Sequence, residues 1–125
     1  MSNELAKYIT IRPQSFEPNR IMAYLDALDK KYVNAEIDYD NVKDQVQEVF
    51  DYVVNEKMSN ESITATLAKT KASNDDRYKK VKKELSDRKK IYLYCKVESK
   101  IAHSYCENLK TQSINNIATE KLIKN

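Results

Sequence analysis

The sequence predicts an all-α protein. Its expected form is a long antiparallel helical hairpin of coiled-coil type, with a short middle helix and an extended N-terminal arm, assembled into a homo-oligomer. Three observations carry this expectation. The 125 residues contain no Gly, and Pro occurs only at Pro13 and Pro18, so the strongest helix breakers are missing from residue 19 onward. Apolar residues recur at alternating steps of three and four along two long stretches. Charge is also divided along the chain. Residues 1–65 hold 7 Lys/Arg against 12 Asp/Glu, and residues 66–125 hold 15 against 7, an acidic first half followed by a basic second half.

Residues 1–17 read as the arm. The stretch "KYITIRP" alternates through Tyr8, Ile9, Thr10 and Ile11 and stops at Pro13, which suits an extended segment or a short strand. Residues 18–125 form the hairpin domain. Pro18 fits the first turn of a helix, where its missing N–H costs nothing.

The first long helix is expected over about 19–57. Ile21, Leu25, Leu28, Tyr32, Ala35, Tyr39, Val42, Val46, Val49 and Val53 form a heptad seam sustained for more than four heptads. Such a helix is roughly 58 Å long and needs a partner of equal length. A short helix follows over about 60–69, with Ser59 or Asn60 as its cap. Ser73 or Asn74 then caps a third helix over about 75–122, with Asp75 and Asp76 in its first turn, where the helix dipole favours acids. On it, Tyr78, Val81, Leu85, Tyr92, Cys95, Ala102, Cys106 and Leu109 keep the same spacing if Arg88 and Ser99 fill two polar slots. This is the partner of the first helix.

The third helix carries a second apolar face, formed by Ile91, Tyr94, Val97, Ile101 and Tyr105. One hairpin cannot cover both faces. The surplus calls for another layer, which a second subunit, the arm or the middle helix could supply. Self-association is the favoured answer, with Ile91, Val97, Ile101 and Tyr105 as the interface.

Several function classes lose support. Without Gly there is no glycine-rich phosphate loop. No apolar run is long enough to cross a membrane, and the N-terminus lacks the order of a secretion signal. Cys95 and Cys106 lie about 16 Å apart along one helix, too far for an internal disulfide. A reducing, cytoplasmic setting follows, with both thiols as small core residues. His103 and Cys106 make two metal ligands where a structural zinc site takes four, so no metal and no cofactor is expected. Glu36, Asp38 and Asp40 do not share one side of a helix, and no nucleophile motif is present; no catalytic residue is assigned and the chain is not expected to be an enzyme.

The basic tract "RYKKVKKELSDRKKIYLYCK", residues 77–96, remains to be explained. Lys82, Lys89, Lys96, His103 and Lys110 recur every seven residues along one flank of the seam, where they could face Asp29 and Glu36. Lys79, Lys80, Lys83 and Lys90 point away from it. Together with Lys69 and Lys71 in the connector they form either a solvated face or a phosphate-binding face. Tyr78, Tyr92 and Tyr94 lie nearby, and single-strand binders combine a basic track with aromatic stacking. Tyr78 and Tyr92 also sit on the seam, which makes them core candidates. The expected nucleic-acid set is therefore Lys69, Lys71, Lys79, Lys80, Lys83, Lys90 and Tyr94.

The layout resembles the small helical recombination mediators of phages, of the T-even UvsY type. The residues that carry the resemblance are "TLAKTK" (66–71), "KVKKEL" (80–85) and "YLYCKVESKIAHSYCENLKTQSINNI" (92–117). That family has a glycine-bearing loop, which this chain lacks. The resemblance implies a phage-encoded protein acting in the host cytoplasm. It would bind single-stranded DNA, contact a single-strand-binding protein and help load a RecA-like recombinase as a ring-like homo-oligomer, with Lys69 and Lys71 as the connector's DNA contacts. The competing expectation is a helical-hairpin interaction or assembly protein, such as an inhibitor of a host complex or a structural coiled coil, with no nucleic acid role.

Overall fold

The computed structural model describes residues 11–124, and their only regular structure is helical. Helix α1 spans Pro18–Glu61, α2 spans Ala65–Ser73 and α3 spans Asp76–Lys124. Their lengths are 44, 9 and 49 residues. Tyr8, Ile9 and Thr10 of the expected arm lie outside the described residues.

Five of the six helix ends have a local cause. Pro18 opens α1, and Ile21 N–H donates to the Glu17 carbonyl at 2.9 Å. α1 runs four residues past its expected end, so Ser59 and Asn60 lie inside it and cap nothing. It stops next to Ser62, which takes φ 50°, a left-handed turn adopted here without the glycine that usually fills it. Thr64 is the cap of α2, its hydroxyl accepting Leu67 N–H at 3.3 Å. Asn74 closes α2: its N–H donates to the Lys71 carbonyl and its Nδ2 to the Thr70 carbonyl, both at 3.1 Å. That leaves Asp75 to cap α3, its Oδ1 accepting Arg77 N–H at 2.9 Å.

The described residues divide into two compact units, one made of residues 11–34 and 93–124, the other of Ala35–Tyr92. In the first, Ile21, Tyr24 and Leu28 of α1 pack with Ala102 and Cys106 of α3, surrounded by Phe16, Leu25, Tyr105 and Leu109. In the second, Val53 and Val54 pack with Ala68 and Ala72 of α2, surrounded by Val49, Phe50 and Ile63. Ala68 and Ala72 are fully buried, one turn apart on the face of α2 that meets α1. Methyl side chains there let the helices approach closely.

The seam residues fall where their spacing places them. All ten on α1 and all eight apolar ones on α3 are buried or half-buried. The two polar slots are also filled as expected, with Arg88 half-buried and Ser99 buried. Burial extends beyond the seam to Tyr24, Val54 and Ile91. Each is a neighbour that widens a two-column seam into a globular helix face. Each such side chain contributes about 1.5–3 kcal/mol when fully buried.

Both cysteines are free and buried. Burial pushes the Cys106 thiol up, and does the same to Cys95 against a partial pull from Lys31. Both therefore stay protonated near neutral pH, which suits packing and not reactivity.

Candidate nucleic-acid interface

The candidate lysines all belong to the Ala35–Tyr92 unit. On α2, the buried Ala68 and Ala72 define the inward face, and Lys69 and Lys71 stand exposed beside it. Thr70 and Ser73 fold their hydroxyls back onto the Thr66 and Lys69 carbonyls, so the lysines extend from a helix whose polar groups are satisfied locally. Lys71 is engaged: its Nζ lies 2.5 Å from Glu61 Oε1, and this ammonium holds the Glu61 carboxyl below its ordinary range. Lys69 has no carboxylate partner among the described residues.

On α3, Lys79, Lys80, Lys83 and Lys90 are exposed and pair with no carboxylate among the described residues. Lys79, Lys83 and Lys90 share one helical face. Their separations along the axis are about 6 Å and about 10 Å. Lys80 stands roughly a quarter turn round from Lys79.

Arg77, at the head of the same tract, has a different task. Its guanidinium makes a two-bond fork to Glu56, Nη1 to Oε2 and Nη2 to Oε1, both at 3.0 Å. It also grips Asp75 through Nε and Nη2 at 3.0 Å. The ring of Tyr52 lies beneath it, 5.9 Å away. Hydrogen bonds from Arg77 hold the Asp75 carboxyl down at about 2. They lower Glu56 and raise Arg77 itself. This residue ties α1 to the start of α3 and is committed to the fold.

The tyrosines divide the same way. Tyr78 tilts against Phe50 with centroids 5.1 Å apart, and Tyr92 meets Tyr39 edge-on at 5.4 Å. Both serve the core, as their seam positions suggest. Lys82 lies over the Tyr78 ring at 5.4 Å, so it too has a local partner. Tyr94 is half-buried and falls in the other unit.

The expected self-association set divides as well. Ile91 is buried within its own unit, at 7% exposure. Tyr105 is half-buried: its hydroxyl donates to the Pro13 carbonyl at 2.7 Å, and the Arg12 guanidinium lies 5.0 Å over its ring. Phe16 packs on the same cluster. Arm residues 12–16 thus supply part of the extra layer that the second face of α3 called for. Val97 and Ile101 remain open, at 54% and 44% exposure.

On the expected basic flank, His103 reaches the carboxylate foreseen for it, with Nε2 3.1 Å from both oxygens of Asp29. Cys106 is buried in the core beside Ala102. Among the described residues, no group of three or more His, Cys, Asp or Glu is placed to hold a metal ion, and no helix is long and apolar enough to cross a membrane.

Sequence reasoning missed the Arg77 fork. Its signal was present: Asp75 and Arg77 flank a helix start, and Glu56 stands near the end of α1. No protein-family model, curated protein or solved structure matches the chain.

Proposed function

We propose that the chain is an oligomeric single-stranded-DNA-binding accessory protein, with the outward face of α3 as its phosphate track. One observation carries the reading. Lys79, Lys80, Lys83 and Lys90 are exposed and have no carboxylate partner among the described residues, although α1 of the same unit is rich in acids. Charge that served only to pair the helices would be engaged as Arg77 is engaged. Lys79, Lys83 and Lys90 on one face of a helix suit the phosphates of one strand, read without regard to sequence. A role in recombination or replication, in loading a RecA-like recombinase, rests on the resemblance described above.

The pairing order supports an antiparallel hairpin for the second unit. Tyr39, Phe50 and Glu56 rise along α1 while their partners Tyr92, Tyr78 and Arg77 descend along α3. The competing reading, a hairpin that binds only proteins, is favoured by the open apolar side chains of Leu93, Val97 and Ile101.

Changing Lys79, Lys80, Lys83 and Lys90 together to Glu tests the proposal. Binding of a labelled oligo-dT should be abolished while the thermal melt stays nearly unchanged. Every lysine–phosphate pairing removed lowers the salt slope of binding by about 0.7. Unaltered DNA affinity in the fourfold variant would overturn the reading.

A further inference from the structure

The unit made of residues 11–34 and 93–124 carries a feature that DNA binding does not use. Arg12, Lys100, Ile101, Ser104, Tyr105 and Asn108 line an open groove of about 350 Å³. Two of the six are cations and none is an acid. The nearest acids in sequence, Glu98 and Glu107, are not among the lining residues. Neither Arg12 nor Lys100 pairs with a carboxylate among the described residues.

The groove is also held in place. The Tyr105 hydroxyl is fixed by the Pro13 carbonyl, and its ring carries the Arg12 guanidinium. A guanidinium stacked on an aromatic face and lacking a carboxylate is set up to receive one, because its planar fork is already oriented. Leading into the groove is an apolar ridge. Leu93, Val97 and Ile101 follow one another at steps of four and are 45%, 54% and 44% exposed. Three aliphatic side chains in a row on a helix give a surface about 12 Å long, the length that apolar anchors of a docked peptide occupy.

The geometry points to a docking site for an acidic, amphipathic peptide segment of a partner protein. Its apolar side chains lie along Leu93, Val97 and Ile101, and its carboxylates meet Arg12 and Lys100. Charge complementarity selects this occupant. An apolar ridge that ends in two cations with no carboxylate partner among the described residues suits a chain that alternates aliphatic and acidic residues. A nucleic acid would leave the aliphatic ridge uncovered. This inference is independent of the phosphate track on the other unit.

A displayed library of random dodecapeptides, selected on the full chain and counter-selected on the Arg12→Glu, Lys100→Glu variant, tests it. Survivors should combine Asp or Glu with Leu, Ile or Phe. A synthetic survivor should bind the wild type at least tenfold more tightly than the variant, and Val97→Ser with Ile101→Ser should weaken it similarly. Oligo-dT affinity should not change in either variant. Lys100→Glu alone, at an exposed helix position, should weaken the peptide without disturbing the arm that Arg12 belongs to. The proposal is overturned if no peptide survives or if the survivors are not acidic. It is also overturned if oligo-dT binding is abolished in the groove variant, which would make the surface a nucleic-acid site. Dissociation of a wild-type oligomer by Val97→Ser with Ile101→Ser would make the occupant a second copy and overturn it equally.

Discussion

Ser99 donates its hydroxyl proton to Asp29 Oδ1 at 2.6 Å, and His103 Nε2 approaches both oxygens of the same carboxylate. Ser99 is 6% exposed and, with Arg88, fills one of the two polar slots of the α3 seam. A polar residue in such a seam costs stability unless its partner is in place, and so it specifies the alignment of the two helices. One carboxylate serves both a buried hydroxyl and an imidazole.

Asp29→Ala should therefore cost more than Ser99→Ala. Removing the carboxylate strands a buried hydroxyl, at about 1–3 kcal/mol. Removing the hydroxyl deletes one hydrogen bond, at about 0.5–1.5 kcal/mol. Urea denaturation of the two variants checks the order. Equal destabilisation, or none, would mean that the pair does not fix the alignment.

The Arg77 fork should make the protein acid-sensitive. Asp75 is lowered from 3.8 to about 2 in the fold, and Glu56 is lowered as well. A carboxyl with a depressed folded-state pKa lends stability above its unfolded pKa and loses it as pH falls through the folded value. Melting temperature should thus drop between about pH 4 and 2. Arg77→Ala should lower the melting temperature at pH 7 and shrink the difference between pH 7 and pH 3. A wild-type melting temperature flat across that window would refute the assignment.

The α2 packing should tolerate no added volume. Ala72 is fully buried beside Val53, and Ala72→Leu would force side chains off their rotamers at a cost of about 1–3 kcal/mol. The same change at the exposed Lys69 should be nearly neutral. Thermal melts of the two variants compare them directly, and equal melts would mean that α2 is not packed as described.

The two long helices were legible because their spacing is a property of consecutive residues. Even Arg88 and Ser99 could be placed, since a seam position is fixed by counting. The ends of the middle helix were less legible. Ser59, Asn60, Ser73 and Asn74 are all competent caps by type, and the choice among them depends on where α1 stops. It stops at a left-handed Ser62, which no propensity favours. The DNA candidates were legible as charge, but the commitment of Arg77 was not. It depends on Glu56, twenty-one positions away, meeting it across two helices. The cover that arm residues 12–16 give to Tyr105 is long-range in the same sense, joining positions ninety-two apart.

The Ala35–Tyr92 unit is one uninterrupted stretch of chain, whereas the other unit needs both flanking stretches. During synthesis residues 35–92 leave the ribosome before residues 93–124 do. The discontinuous unit can close only once its second stretch of chain emerges. Loop-closure entropy favours the same order in refolding, because pairings such as Asp29 with Ser99 span seventy positions and pairings such as Phe50 with Tyr78 span far fewer. Emergence of that second stretch thus becomes the moment at which the groove lined by Arg12 and Tyr105 comes into existence. Pulse-labelled hydrogen exchange during refolding, with protection rising first within 35–92, reads that order directly.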